Sequence, residues 1–219
     1  MVLKFSQLLL AVMIVLGLTC STASLATAQE SKQQPKPKTT ETKQDDEKKA
    51  DDEKVEPMTV QVAEGNIRFK ASGTWKSVKP ASRIVEFEIK VPKVKGDAKD
   101  GRLTIMGAGG SIEANIDRWK NQFIAPEGET MDGNTKVKKE KHGGQDVTIV
   151  DITGTFMDAP GGPFSGQPKV ELPGYRMLAA IIQTKEDGNY FVKLYGPEKT
   201  MKKNEKHFKA MIKSVNVAD

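Results

Sequence analysis

The sequence predicts an α+β fold, an antiparallel β-sheet covered by helices on both faces. Three observations carry this. Strand-like segments follow one another through hairpin turns, so chain neighbours pair antiparallel. Two amphipathic helices break the run of strands, one midway and one at the end. The early strands alternate polar and apolar residues, while the later ones are apolar nearly throughout, which places the middle of the sheet under cover on both sides.

Three regions are expected along the 219 residues. Residues 1–28 read as a secretory signal peptide, with Lys4 as the positive start, an apolar run over 8–18, and Ala26-Thr27-Ala28 as a small-x-small cleavage site. That run would span only ~16 Å as a helix, about half a hydrocarbon core, so cleavage after Ala28 is expected in place of a membrane anchor. Residues 29–57 contain seven lysines, nine acids and only two apolar residues, Ala50 and Val55, a composition that predicts a disordered charged linker. Residues 58–219 form the single globular domain, with a net charge of +6. The only cysteine, Cys20, falls within the signal segment. Gly17-Leu18-Thr19 before it matches a lipoprotein signal poorly. The mature chain is therefore expected to carry no disulfide, thiolate nucleophile or cysteine-based zinc site.

Within the domain, residues 66–70 alternate Ile67 and Phe69 with polar neighbours, a short strand. Residues 83–91 are the cleanest strand, with Val85, Phe87, Ile89 and Val91 on one side and Glu86, Glu88 and Lys90 on the other. Pro92 ends it, and Asp100-Gly101 turns the chain into a strand over 102–106. Gly107, Gly109 and Gly110 break that strand. Ser111 then caps a helix whose apolar face is Ile112, Ile116, Trp119 and Phe123, with Asn115, Asp117, Lys120 and Asn121 on other faces. A lysine-rich strand over 135–141 turns at Gly143-Gly144 into a central strand over 147–156. Residues 157–174 hold four prolines and four glycines and are expected to be the longest irregular insertion. Strands over 175–184 and 189–196 follow, and a last helix over about 200–215 buries Phe208, Met211, Ile212 and Val215.

The order of elements, GGSIEANIDRW in the central helix, YRMLAAII followed by a strand ending FVKLYGP, and the short terminal helix resemble the PsbP-like family. This is the photosystem II extrinsic subunit family with its bacterial relatives, and the likeness spans residues 75–215. It is nearest in character to exported bacterial members without an assigned activity. The resemblance implies an α/β/α sandwich and a role in binding or assembly. Family members attach to membrane-protein complexes or, in a eukaryotic relative, to a small GTPase. It implies neither a catalytic set nor a cofactor, and nothing photosynthetic is visible in these residues.

The candidate chemistry is sparse. MGAGG lies between a strand and a helix, where backbone amides can bind an anion. The dinucleotide spacing, however, would need glycine where Ile112 stands, and no Lys-Ser/Thr follows as in a phosphate loop. His142 stands at a hairpin tip near Glu140 and Asp146, which suits a surface metal contact but lacks a third ligand at metal spacing, so no metal site is assigned. His207 lies on the flank of the last helix. Ser165, in GPFSG, does not stand in a nucleophile elbow. Asp151 interrupts a central strand and needs a partner if buried, with Arg118 and Arg176 as candidates; a functional acid in a cleft and strand-edge exposure are the alternatives.

The expected function is therefore an exported, non-enzymatic binding or assembly module of the cell envelope. Its partner would be another envelope protein or an anionic surface, not nucleic acid, since the positive charge is scattered. The expected contact surface is the 158–174 loop with Phe164 at its tip, joined by the exposed side of the central helix. Asn115, Arg118, Phe164, Tyr175 and Arg176 are its binding residues. The alternative is a small-ligand or metal-handling periplasmic domain, which predicts a well-formed pocket between helix and sheet with polar groups converging in it. A hydrolase of envelope polymers ranks below both.

Overall fold

The computed structural model describes residues 55–160 and 166–218. The expected signal segment with Cys20, the linker up to residue 54, Phe164 and Ser165 lie outside the described residues. The elements are β1 (Met58–Val62), β2 (Ile67–Ala71), β3 (Lys76–Val78), β4 (Phe87–Val91), β5 (Gly101–Gly107), α1 (Ile112–Lys120), β6 (Phe123–Ile124), β7 (Thr135–His142), β8 (Gln145–Asp158), β9 (Val170–Gln183), β10 (Asn189–Pro197), α2 (Glu198–Lys213) and β11 (Asn216–Val217).

The chain is mostly antiparallel sheet with two helices, as the hairpin spacing predicts. The main sheet runs β3-β4-β5-β10-β9-β8-β6, and β7 pairs with β8 beside β6. A second sheet, β1-β2-β11, was not foreseen. Its third strand is two residues long and pairs Val217 with Ile67, too short to leave a period in the sequence.

Strand pleat sorts the apolar residues into two clusters. On β9, Leu178, Ala180 and Ile182 join one cluster with Phe208, Met211 and Ile212 of α2 and with Val60, Ile67 and Phe69 of the small sheet. Met177, Ala179 and Ile181 join the other, with Trp119 of α1 and Phe123 of β6. This alternation explains why residues 175–182 are apolar without a period of two: side chains on both faces leave water.

Four expectations need correction. The strand over 83–91 begins only at Phe87, because residues 81–86 turn and Ile84 stands 71% exposed. The Glu86 carboxylate there accepts from the amides of Ala63 (2.8 Å) and Gly107 (3.2 Å) and from the Tyr190 hydroxyl (3.0 Å). On its polar side Glu88 is buried rather than solvated, held by Arg102 at 2.7 and 2.9 Å. Second, the central helix stops at Lys120, and Phe123 belongs to β6 while still packing with Trp119. Third, Asn115 is not on a solvent face but 2% exposed. Its Nδ2 donates to the carbonyls of Gly109 (3.1 Å) and Ser111 (2.8 Å), tying the glycine turn to the helix it precedes.

The fourth correction concerns residues 157–174. β8 runs on to Asp158 and β9 begins at Val170, so Phe156 pairs with Leu172 and Asp158 with Val170. A register shift between Gly154 and Phe156 absorbs the proline and glycine of 173–174, since proline cannot donate to a ladder and sits at irregularities. At Gly154, φ is 151° and a Cβ would lie 2.6 Å from the Ile124 carbonyl oxygen, so only glycine lets β6 close on β8 here.

Candidate functional site

The β7–β8 hairpin and α2 enclose a bowl of about 420 Å³. Register decides which side chains reach it. Lys136, Lys138 and Glu140 of β7 stand opposite Asp151, Ile149 and Val147 of β8. Val147 belongs to the cluster of α2, and Ile149 packs against that cluster. On α2, Phe208 with Ile212 and Lys209 with Lys213 are each four residues apart, so each pair shares a helix face. The result is an apolar floor of Ile149, Leu178, Phe208 and Ile212 under a rim of four lysines, Lys136, Lys138, Lys209 and Lys213.

Contacts between the sheet and α2 flank the bowl on two sides. At one end Arg176 donates Nε to Asp151 Oδ1 (2.8 Å) and Nη2 to Asp151 Oδ2 (2.7 Å), and Nη2 also meets Glu205 of α2 at 2.9 Å. At the other, the hairpin tip presses on Val215, two residues beyond the end of α2. Gly143 has φ 56°, and a Cβ there would overlap the Val215 carbonyl oxygen. Between them His142 Nε2 lies 2.6 Å from Glu140 Oε2, and Lys138 is 2.6 Å from Glu140 Oε1.

The acids of the bowl are thus already engaged. Lys138, with His142, holds the Glu140 carboxyl down to about 2, which keeps it ionised and unsuited to giving up a proton near neutral pH. Asp151 faces a bidentate guanidinium. Lys136 and Lys213 have no carboxylate partner among the described residues. Among the described residues, no group of three or more His, Cys, Asp or Glu side chains could hold a metal ion, and no helix is long and apolar enough to cross a membrane.

Of the sequence-predicted site residues, Asn115 and Arg118 meet each other, and Arg176 pairs instead with Asp151 and Glu205. Arg176 stands at the bowl's end and is the partner of Asp151. Arg118 is exposed and donates to Asn115 Oδ1, so it is not that partner. Tyr175 is 8% exposed and stacks on Phe156 at 6.1 Å in the α1-side cluster. Phe164 lies outside the described residues. The glycine turn borders a shallow cleft of Gly107, Ala108, Gly109, Asp187, Gly188 and Asn189, and the carboxylate of Asp187 there opposes an anion. The lysine rim left one legible sign, lysines at 136 and 138 and at 209 and 213, spacings that put each pair on one face.

No family model matches the sequence, and no curated protein does. Solved structures do. The chain is similar to the cyanobacterial PsbP of Synechocystis sp., at 12% identity over 74% of this chain and 93% of that one, with a TM-score of 0.46. It is similar to LpqN of Mycobacterium tuberculosis, a protein involved in cell envelope biogenesis, at 9% identity over 74% and 91%, with a TM-score of 0.44. It is also similar to the Ran-binding protein Mog1p of Saccharomyces cerevisiae, at 10% identity over 75% and 97%, with a TM-score of 0.41. PsbP-like structures are thus what this chain resembles. At such identities the likeness concerns chain path alone, and what those proteins bind is said of them.

Proposed function

We propose that this chain is an exported, non-enzymatic binding module of the cell envelope, built as an α/β/α sandwich, with its ligand site in the bowl between the β7–β8 hairpin and α2. The observation that carries the reading is a bowl of about 420 Å³ that sets apolar side chains beneath a rim of lysines. Such a concavity, in the lower part of the ~300–1,000 Å³ range of ligand pockets, costs a protein contacts that a filled core would have kept. Its acids are fixed in ion pairs, which supports capture rather than proton transfer. The signal-like residues 1–28 support export, and the α1 and α2 clusters on alternate residues of β9 support the layering.

The test is native mass spectrometry of the full chain purified without detergent, beside its Ile149→Trp variant, which fills the bowl. The expected outcome is a bound small molecule on the wild type, lost from the variant while the melting temperature stays within a few degrees. An equal load on both proteins would place the ligand elsewhere.

A further inference from the structure

Resting on the bowl as the binding site, we propose that it takes a free single-chain amphiphile with an anionic head, an alkyl carboxylate or its like. Three features of the bowl converge on that chemistry. Its lining includes the apolar Val137, Ile149, Leu178, Phe208 and Ile212; the last three are packed into the core, so the apolar surface open to a ligand is that of the partly buried Ile149 and the exposed Val137 between the lysine stems. The rim is cationic, and its acids are spoken for: Asp151 by Arg176, and Glu140 by Lys138 and His142. Lys136 and Lys213 stand on opposite walls, one on β7 and one on α2, both without a carboxylate partner among the described residues. A head group between them would receive charge-assisted hydrogen bonds from two sides. A cavity of about 420 Å³ has room for one short alkyl chain, not for a two-chain lipid.

The experiment is isothermal titration of the full chain with three probes of one chain length, decanoate, decan-1-ol and decylammonium. Amide chemical shifts of residues 149, 178 and 212 locate the bound probe. Decanoate is expected to bind most tightly and to shift those three amides, decan-1-ol more weakly, and decylammonium not measurably. Lys136→Gln combined with Lys213→Gln, both exposed changes, is expected to weaken decanoate about tenfold and to leave decan-1-ol unchanged. Ile149→Trp should weaken both.

Equal affinity for decanoate and decan-1-ol, or an unchanged decanoate affinity in the lysine double variant, overturns the anionic head while leaving the bowl as a site. Shifts that avoid residues 149, 178 and 212, or no binding of any probe, overturn the bowl itself. Uptake only by vesicles of anionic phospholipid overturns the free single chain. Dimerisation abolished by Ile149→Trp, with no probe bound, gives the bowl to a second copy.

Discussion

Lys193 illustrates how a single residue can be set against the fold. It points from β10 into the α1 side of the sheet, 5.6 Å from the Trp119 ring centre and 6.0 Å from that of Tyr195, and donates to Gln122 Oε1 at 3.1 Å. Burial pushes its ammonium down to about 8, and the nearby positive charges of Arg118 and Arg102 add to the fall. Here the folded-state value lies below the ordinary 10.5, so the unfolded chain binds more protons between the two. Stability from this group therefore rises as pH climbs from about 8 to 10.5. Lys193→Met is expected to raise the urea midpoint at pH 7, where most of the charge is present, and that advantage should shrink toward pH 10.5. Midpoints measured at both pH values check it, and an equal difference at both would assign the effect to packing. No period in FVKLYGP marks Lys193 as unusual, because Trp119 of α1 and Gln122 just beyond it are remote in sequence.

At the scale of elements, the charged segment 93–100 has a use that composition hides. α2 starts at Glu198 with Pro197 as its N-cap, a residue with no side chain able to accept from the first turn. Asp97, a hundred residues earlier, takes that place. Its Oδ2 accepts from the Thr200 amide at 2.9 Å and the Thr200 hydroxyl at 2.6 Å, while Thr200 Oγ1 accepts from the Val94 amide at 3.1 Å. Asp97→Ala is expected to cost ~1 kcal/mol, as for a local cap, with the loss read from chemical denaturation. Amide exchange in the first turn of α2 should quicken while that of β9 keeps its protection. If exchange in α2 stays unchanged, the contact is incidental. Local capping was legible where it was local: Ser111 accepts from the Ala114 amide at 3.1 Å, as its position before the helix predicts. The helix boundaries were also legible to within a turn, since amphipathic spacing is a local property. The Asp97 cap, the run of β8 past Phe156 and the start of β9 at Val170 were not, since each depends on segments brought together only by folding.

For the whole molecule, acid is the condition that separates folded from unfolded. Arg102 holds Glu88 below the usual carboxylate range, Lys90 does so for Asp100, Lys138 for Glu140 and Lys209 for Glu205. Depressed values mean that this stability is fully present above the ordinary 4.5 of a glutamate and 3.8 of an aspartate, and is lost as pH falls through the lower folded-state values. The urea midpoint is expected to fall steeply below about pH 4. In 1 M salt the share from exposed pairs such as Lys90–Asp100 should vanish, and that from the shielded Arg102–Glu88 pair should persist. Midpoints at pH 3 and 6, with and without salt, measure this, and a salt-independent acid limb would contradict it.

The sequence by itself determined the antiparallel strands, the two helices and the apolar residues that seat them, because hairpin turns and amphipathic periods are written in neighbouring residues. The glycine turn and Ser111 were equally plain. Only the tertiary structure decided that Asp151 belongs to Arg176 and not Arg118, that Asn115 is buried, that residues 216–217 complete a second sheet, and that lysines of β7 and α2 ring one bowl. Each of these joins segments that the chain separates, and neither composition nor period encodes which distant faces will meet. The register of β7 on β8 and the pressure of Gly143 on Val215 encode it.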